Sequence, residues 1–483
     1  MTVRSERILI DGDWALASDG RTIAVEDPST LQIVATIPHV GPADLDRALA
    51  AAEREREAWA RTTGWQRSAL LRAAARGIEN RLDDIAALLT EEQGKPLAEA
   101  RAEVRSAVEQ FEWYADEARR IYGRTVDATT PDLRIQVRRE PIGPVAAFTP
   151  WNFPVMLAAR KLAPALAAGC PIILKPAEEA PSACLAMVKA VQEAGFPAGV
   201  IAAVTGDPAE ISAHLIASPI IRKVSLTGSV RVGQLLLGLA AQNMAAVSLE
   251  LGGHGPVVIC DDVDVAKTAA LCARTKFRNA GQVCISPTRF LIAESIYDEF
   301  VSAFTSATRD LVVGDGRDEA TDVGPLCSRR RHDDFAALVS DALDAGAVAT
   351  IGGSSLAEER GGHFFAPTVL RDVPTTARAL SEEPFGPLAL MIPYSDLHAA
   401  VDLANGTDYG LAAYVFTNDM TRAQLLSERI RAGMVGINSF LVSTAVAPFS
   451  GVGLSGIGAE NGTEGIAQYL HPKTVVSSIQ ELR

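Results

Sequence analysis

The chain has 483 residues, 48% of them apolar and 22% charged, which is longer than a usual single domain and excludes a disordered, collagen-like or coiled-coil chain. Its 45 basic against 59 acidic residues leave a formal charge of −14, which removes any broad electrostatic reason to bind nucleic acid or an anionic membrane. The six cysteines include no CxxC pair, and no uncharged run reaches the ~18 residues of a bilayer span, so free thiols in a cytoplasmic, small-molecule enzyme are expected.

Met1 to Trp14 carries charges throughout and no apolar h-region, so neither a signal nor a transit peptide is expected. Residues 44–60 and 65–120 place apolar side chains at helical spacing among many charges and predict amphipathic helices. From about 125 to 140, Leu133, Ile135 and Val137 alternate with polar residues, the pattern of a half-exposed strand pair. Such a ribbon suits either an oligomer contact or a plain surface hairpin.

Between 143 and 252 short apolar runs alternate with helical segments: PVAAFT, IILK at 172–175, VIAAV at 200–204, VSL at 224–226 and AVSLEL at 246–251. This alternation predicts a parallel sheet covered on both faces, with ligands bound beyond the strand C-terminal ends. A second alternating stretch runs from PVVIC at 256–260 through TRFLIA, VATI, LALMI and AAYVF to VGIN at 435–438. The glycine-rich tail from Pro448 ends in TVVSSI, a short strand expected to pair with the ribbon near 135.

Candidate chemistry sits in five places. Cys284, after a flexible Gly281 in NAGQVC, is either a nucleophile or one more inert core thiol. Glu250, at a strand end before Gly252 and Gly253, is either a general base or a solvated charge. Asn152, between the prolines of PWNFP, offers an amide to an oxyanion or merely makes a turn. Gly228 and Ser229 open a helix and so present free N–H groups to a phosphate, although no GxGxxG or Walker loop is present. Lys175 and Glu178 lie just past IILK, where they can hold ribose hydroxyls or form a surface ion pair.

The joint order of PWNFP at 150–154, LKPAE at 174–178, LTGSVRVG at 226–233, LELGG at 249–253 and FRNAGQVC at 277–284 resembles aldehyde dehydrogenases from about residue 10 to the C-terminus. EEPFGP at 382–387 and PFSGVGLSGIG at 448–458 complete the set. The resemblance implies an α/β fold with a Rossmann-type cofactor domain (1–123 and 142–252), an α/β catalytic domain (253–453) and a small bridging or oligomerisation ribbon (124–141 and 454–483). It implies Cys284 as nucleophile, Glu250 as general base and Asn152 as oxyanion donor. For the cofactor it implies Trp151 as a wall, Lys175 and Glu178 at the adenosine ribose, Gly228 and Ser229 at the pyrophosphate, and Glu383 with Phe385 at the nicotinamide ribose. Glu178 would repel a 2′-phosphate, so NAD is expected, with NADP also possible.

Arg160 and Arg278 match two arginines that hold the distal carboxylate in succinate-semialdehyde dehydrogenases, and Ser443 or Thr444 adds a hydroxyl. The departures are Ser286, where some semialdehyde relatives carry a second cysteine, and PFSGVG in place of PFGG-x-K. An NAD-dependent, non-acylating oxidation of a semialdehyde such as succinate semialdehyde is therefore expected, with a broad or aromatic aldehyde dehydrogenase as the alternative and a catalytically retired binding relative as a third reading. A small-molecule aldehyde is the only partner expected besides a second or fourth copy of the chain, a homodimer or homotetramer. Nucleic acid, membrane and metal are not expected.

Overall fold

The computed structural model describes residues 3–478; the outermost residues of the expected segments 1–123 and 454–483 lie outside the described residues. The first α/β layer is an eight-stranded sheet in the order 456–457, 246–250, 223–227, 145–148, 172–175, 201–203, 8–10, 13–15. Its five central strands are parallel. The strand Val145–Phe148 begins the series, two strands follow on one side of it, and the chain then returns to its other side with Lys223–Thr227. That reversal is a topological switch point, where open α/β sheets bind ligands beyond their strand ends.

Both faces of this sheet are apolar and both are covered. One carries helices Gly64–Glu79, Leu82–Gln93, Leu97–Glu117, Pro154–Ala168 and Ser182–Gln192; the other carries Pro42–Ala60, Pro208–Ala217 and Val230–Gln242. Pro154–Ala168 is buried at every position but Met156. A helix apolar nearly all round belongs in a core, so any charge on it must find a partner there.

A seven-stranded sheet, in the order 348–351, 368–371, 388–394, 287–293, 255–259, 412–416, 434–437, forms the second layer and is parallel except for 348–351. A third sheet of three antiparallel strands pairs Leu133–Pro141 with Leu470–Ser478 and Arg124–Val126, setting Val476 opposite Ile135. One piece of the tail departs from a purely bridging segment. Gly456–Ile457 adds an edge strand to the first sheet, because Leu249 and Glu250 offer backbone groups there that Ile457 and Gly456 pair.

Candidate active site

The NAGQVC loop joins helix Val265–Phe277 to strand Pro287–Ala293. Asn279, Ala280 and Gly281 adopt φ of 50°, 52° and 71°, three left-handed residues in succession. Gly281 is pinned rather than flexible: a Cβ there would lie 2.1 Å from the Gly386 carbonyl of EEPFGP. Gly253 of LELGG serves a similar approach, since its Cβ would meet the Cys284 carbonyl at 2.4 Å. The two glycine sites thus press two separate motifs, EEPFGP and LELGG, onto this one loop and fix where Cys284 stands.

Cys284 is half-buried on the wall of a cavity of about 470 Å³. The same wall carries Arg160, Arg278 and Ser443, together with Arg274 and the rings of Phe153, Tyr414, Phe440 and Phe449. Burial, with the charges of Glu383 and Glu250 adding to it against Arg160, pushes the thiol up to about 12.

Arg160 is 2% exposed. It donates to Ser443 Oγ, lies 4.5 Å above the Phe449 ring and leaves its buried Nε without a partner. Arg278 lies 5.5 Å from the Phe153 ring centroid. Neither guanidinium has a carboxylate within 4.0 Å among the described residues, so neither is held by an internal salt bridge. Thr444 does not line the cavity; its carbonyl accepts from Asn461 at 2.8 Å.

Asn152 and Glu250 stand outside that lining, in the fully buried layer beside it. Asn152 Nδ2 donates to the Gln282 carbonyl at 3.0 Å, which uses one of its two N–H bonds. Its own carbonyl accepts from Lys95 Nζ at 2.7 Å and from Asn279 Nδ2 at 3.0 Å. Lys95 in turn pairs with Glu103, and Glu103 Oε1 accepts the N–H groups of Val155 and Met156 at 2.9 and 3.2 Å, closing the first turn of helix Pro154–Ala168.

Glu250 is 1% exposed and neither carboxyl oxygen has a hydrogen-bond partner. Burial raises its pKa well above the carboxylate range, and the like charge of Glu460 adds to this against Lys161 and Arg160. Lys161 Nζ pairs with Glu460 and donates to Thr227 Oγ1 at 2.9 Å.

The cofactor candidates gather at the C-terminal ends of the first sheet. Lys175 ends its strand and pairs with Glu178. Ser229 is the N-cap of Val230–Gln242 and accepts from Val232 N–H at 3.4 Å, which leaves its own O–H to donate. A Cβ on Gly228 would meet the Leu226 side chain at 3.3 Å, a tight approach that favours glycine at this turn. Glu383 accepts the Gly253 N–H at 2.9 Å and is pushed up to about 7 by burial. Trp151 and Phe385 meet edge to face at 5.5 Å. Helix-end N–H groups, acidic hydroxyl acceptors and an aromatic wall along one switch point fit a nicotinamide dinucleotide.

Sequence reasoning did not single out Lys95, Glu103, Lys161, Glu460 or Arg274. Lys161 had a signal, a cation inside the near-uniform apolar run VMLAARKLAPALAA. Glu460 had none, since its partner lies 299 residues away.

The aldehyde dehydrogenase family model matches residues 14–475. The chain is 44% identical over 470 residues to 4-(hydroxymethyl)benzenesulfonate dehydrogenase TsaD1 of Comamonas testosteroni, covering 97% of this chain and 98% of that one. It is 40% identical over 468 residues to the NADP(+) succinate-semialdehyde dehydrogenase GabD of Escherichia coli K12, covering 97% of each. The crystal structure of succinate-semialdehyde dehydrogenase from Burkholderia pseudomallei superposes with a TM-score of 0.96 at 40% identity, covering 98% of both chains.

Proposed function

Because the chain belongs to the aldehyde dehydrogenase family, and so oxidises an aldehyde to a carboxylic acid with NAD or NADP, we propose that its substrate carries an anionic group at the end away from the aldehyde. The observation behind this reading is Arg160: a buried guanidinium with an unpartnered Nε and no carboxylate within 4.0 Å among the described residues, on the wall that also carries Cys284. A buried cation without a counter-charge is costly, and a ligand anion is the partner that completes it. Arg278 and Ser443 supply further donors. Relatives named for a benzenesulfonate and for succinate semialdehyde share this feature, an anion remote from the reacting carbon. The four aromatic rings and the volume also admit an aromatic body, so succinate semialdehyde and an anionic benzaldehyde are both within the class.

In the proposed reaction the Cys284 thiol first loses its proton to solvent water, the thiolate Sγ adds to the carbonyl carbon, and the C=O electron pair moves to oxygen. The unspent N–H of Asn152 and the backbone N–H of Cys284 are the donors for that oxyanion. The nicotinamide dinucleotide, held by Trp151, Lys175, Glu178, Gly228, Ser229, Glu383 and Phe385, supplies when bound the acceptor for the hydride that leaves this carbon. A thioester remains on Cys284. Glu250 then takes a proton from the water that attacks the thioester, releasing the acid and the thiol. Burial favours the protonated form of Glu250, and Lys161 and Arg160 are the cations that act the other way, toward the ionised base.

The Glu178 carboxylate favours NAD over NADP by repelling a 2′-phosphate. The cofactor domain is read as 1–123 with 142–252 and the catalytic domain as 253–453. The exposed ribbon at 124–141 and the tail strand are the proposed contact of a homodimer or homotetramer. Six free cysteines suit the reducing cytoplasm. The test compares kcat/KM for succinate semialdehyde and benzaldehyde. A strong preference for the first that collapses in Arg278→Ala is expected, and equal losses for both substrates overturn the anion clamp.

A further inference from the structure

Arg274 stands in the last turn of helix Val265–Phe277, four residues before Arg278, and is exposed on the wall of the same cavity. It makes no ion pair within 4.0 Å among the described residues. The ionisable carboxyls on that wall are those of Glu99 and Glu103. Glu103 is committed to Lys95 and to two backbone N–H groups. Glu99 accepts the Asn279 N–H at 2.9 Å, and burial pushes it up to about 7, with Arg278 and Lys95 acting the other way. Three arginines therefore line the cavity with no ion pair within 4.0 Å among the described residues, where one carboxylate ligand needs no more than two.

The manner in which they are held also matters. Arg160 and Arg278 are steadied by ring faces, those of Phe449 and Phe153, rather than by acids. Stacking fixes a guanidinium's plane and leaves its N–H donors to a ligand. A carboxylate is planar and offers two oxygens, which one fork-like guanidinium can engage together. A sulfonate presents three oxygens in a pyramid, so its acceptors point in three directions and call for donors from three sides.

We infer that Arg274 is a specificity residue which, with Arg160 and Arg278, gives this site a preference for aldehydes whose remote anion is a sulfonate over those whose remote anion is a carboxylate. The inference rests on the remote-anion reading above and narrows it. Arg160 and Ser443 take the buried side of the anion, Arg278 a second side, and Arg274 the oxygen turned toward the cavity mouth. The hydroxyls of Ser106 and Thr275 line the same cavity.

The experiment measures kcat/KM for 4-formylbenzenesulfonate, 4-formylbenzoate and benzaldehyde with the wild-type enzyme, Arg274→Ala and Arg274→Lys. With one more charge-assisted donor for the sulfonate's third oxygen, wild type should favour the sulfonate over the carboxylate by about tenfold. Arg274→Ala should lower that ratio by about tenfold, chiefly through KM for the sulfonate, and Arg274→Lys should recover part of it. Because the measured quantity is a ratio, a variant that folds poorly loses both rates and leaves it in place. A wild-type enzyme without sulfonate preference, or a ratio unmoved in Arg274→Ala while both anions still outrun benzaldehyde, overturns the role of Arg274 alone. Benzaldehyde turned over as well as either anion by wild type overturns the remote-anion reading itself.

Discussion

Lys95→Met is the substitution that separates holding the oxyanion loop in place from merely stabilising the fold. Lys95 and Glu103 are both fully buried, and Lys95 Nζ reaches the Asn152 carbonyl at 2.7 Å. Removing the lysine strands the Glu103 carboxylate with two backbone N–H groups and no counter-charge, a loss of about 3–5 kcal/mol. It also takes one of two donors from the Asn152 carbonyl and leaves Asn279 Nδ2 at 3.0 Å. That carbonyl is therefore not orphaned, but the segment carrying the Asn152 amide is less restrained. Losing an oxyanion donor outright costs ~10²–10³ in kcat, so a loosened donor should cost less, about tenfold. The double variant Lys95→Met/Glu103→Gln keeps an acceptor for Val155 and Met156 while discharging the buried acid. Its unfolding midpoint in urea should recover toward wild type, whereas kcat should stay low with KM within about threefold of wild type. Recovery of kcat together with the midpoint would mean the pair acts on stability only, and an unchanged kcat in Lys95→Met would remove Lys95 from positioning Asn152.

Since Cys284 is pushed up to about 12 by burial first and by neighbouring carboxyls second, its alkylation by iodoacetamide in cofactor-free protein should rise about tenfold per pH unit from pH 7 to 10; a plateau before pH 9 contradicts this. Arg160 lowers that thiol's pKa and Arg278 is not among its principal influences. Arg160→Gln should therefore slow alkylation at a fixed pH and Arg278→Ala should not, a pattern that equal slowing would overturn. Glu460 raises the Glu250 carboxyl and Lys161 lowers it, so Glu460→Gln removes the opposing charge and frees the helpful one. The rising limb of kcat against pH should then move to lower pH, and movement to higher pH would exclude Glu250 as the base. In Glu178→Ala the ratio of kcat/KM with NADP to that with NAD should increase, whereas a constant ratio would take Glu178 out of cofactor choice.

The sheet strands were legible where an apolar run is bounded by turn residues and pairs with its neighbours in a βαβ series. IILK is the strand at 172–175, and Ser229 caps the helix it was expected to open. The five short strands before residue 40 were not legible. They are two to six residues long, several carry charges, and one of them, Ile8–Ile10, gains its place by meeting Ala203 far along the chain. The same limit governs the site. Cys284, Glu250 and Asn152 lie in motifs whose glycines and prolines are readable, while Lys95 and Glu460 matter through contacts that spacing does not encode. Gly281 looked like a hinge in the sequence, yet the Gly386 carbonyl beside it makes it a fixed point.

Arg160 ties substrate recognition to proton chemistry. Its charge favours ionisation of both the thiol and Glu250, while its unpartnered Nε is a buried donor free for the proposed remote anion. An anion seated on Arg160 alone would offset part of that field and push Cys284 and Glu250 back toward their protonated forms, the wrong direction for attack and for deacylation. Spreading the anion's charge over Arg278 and Arg274 leaves more of Arg160's field acting on the two reacting groups. A cavity in which three arginines share the proposed anion would disturb Cys284 and Glu250 less than a single buried cation would.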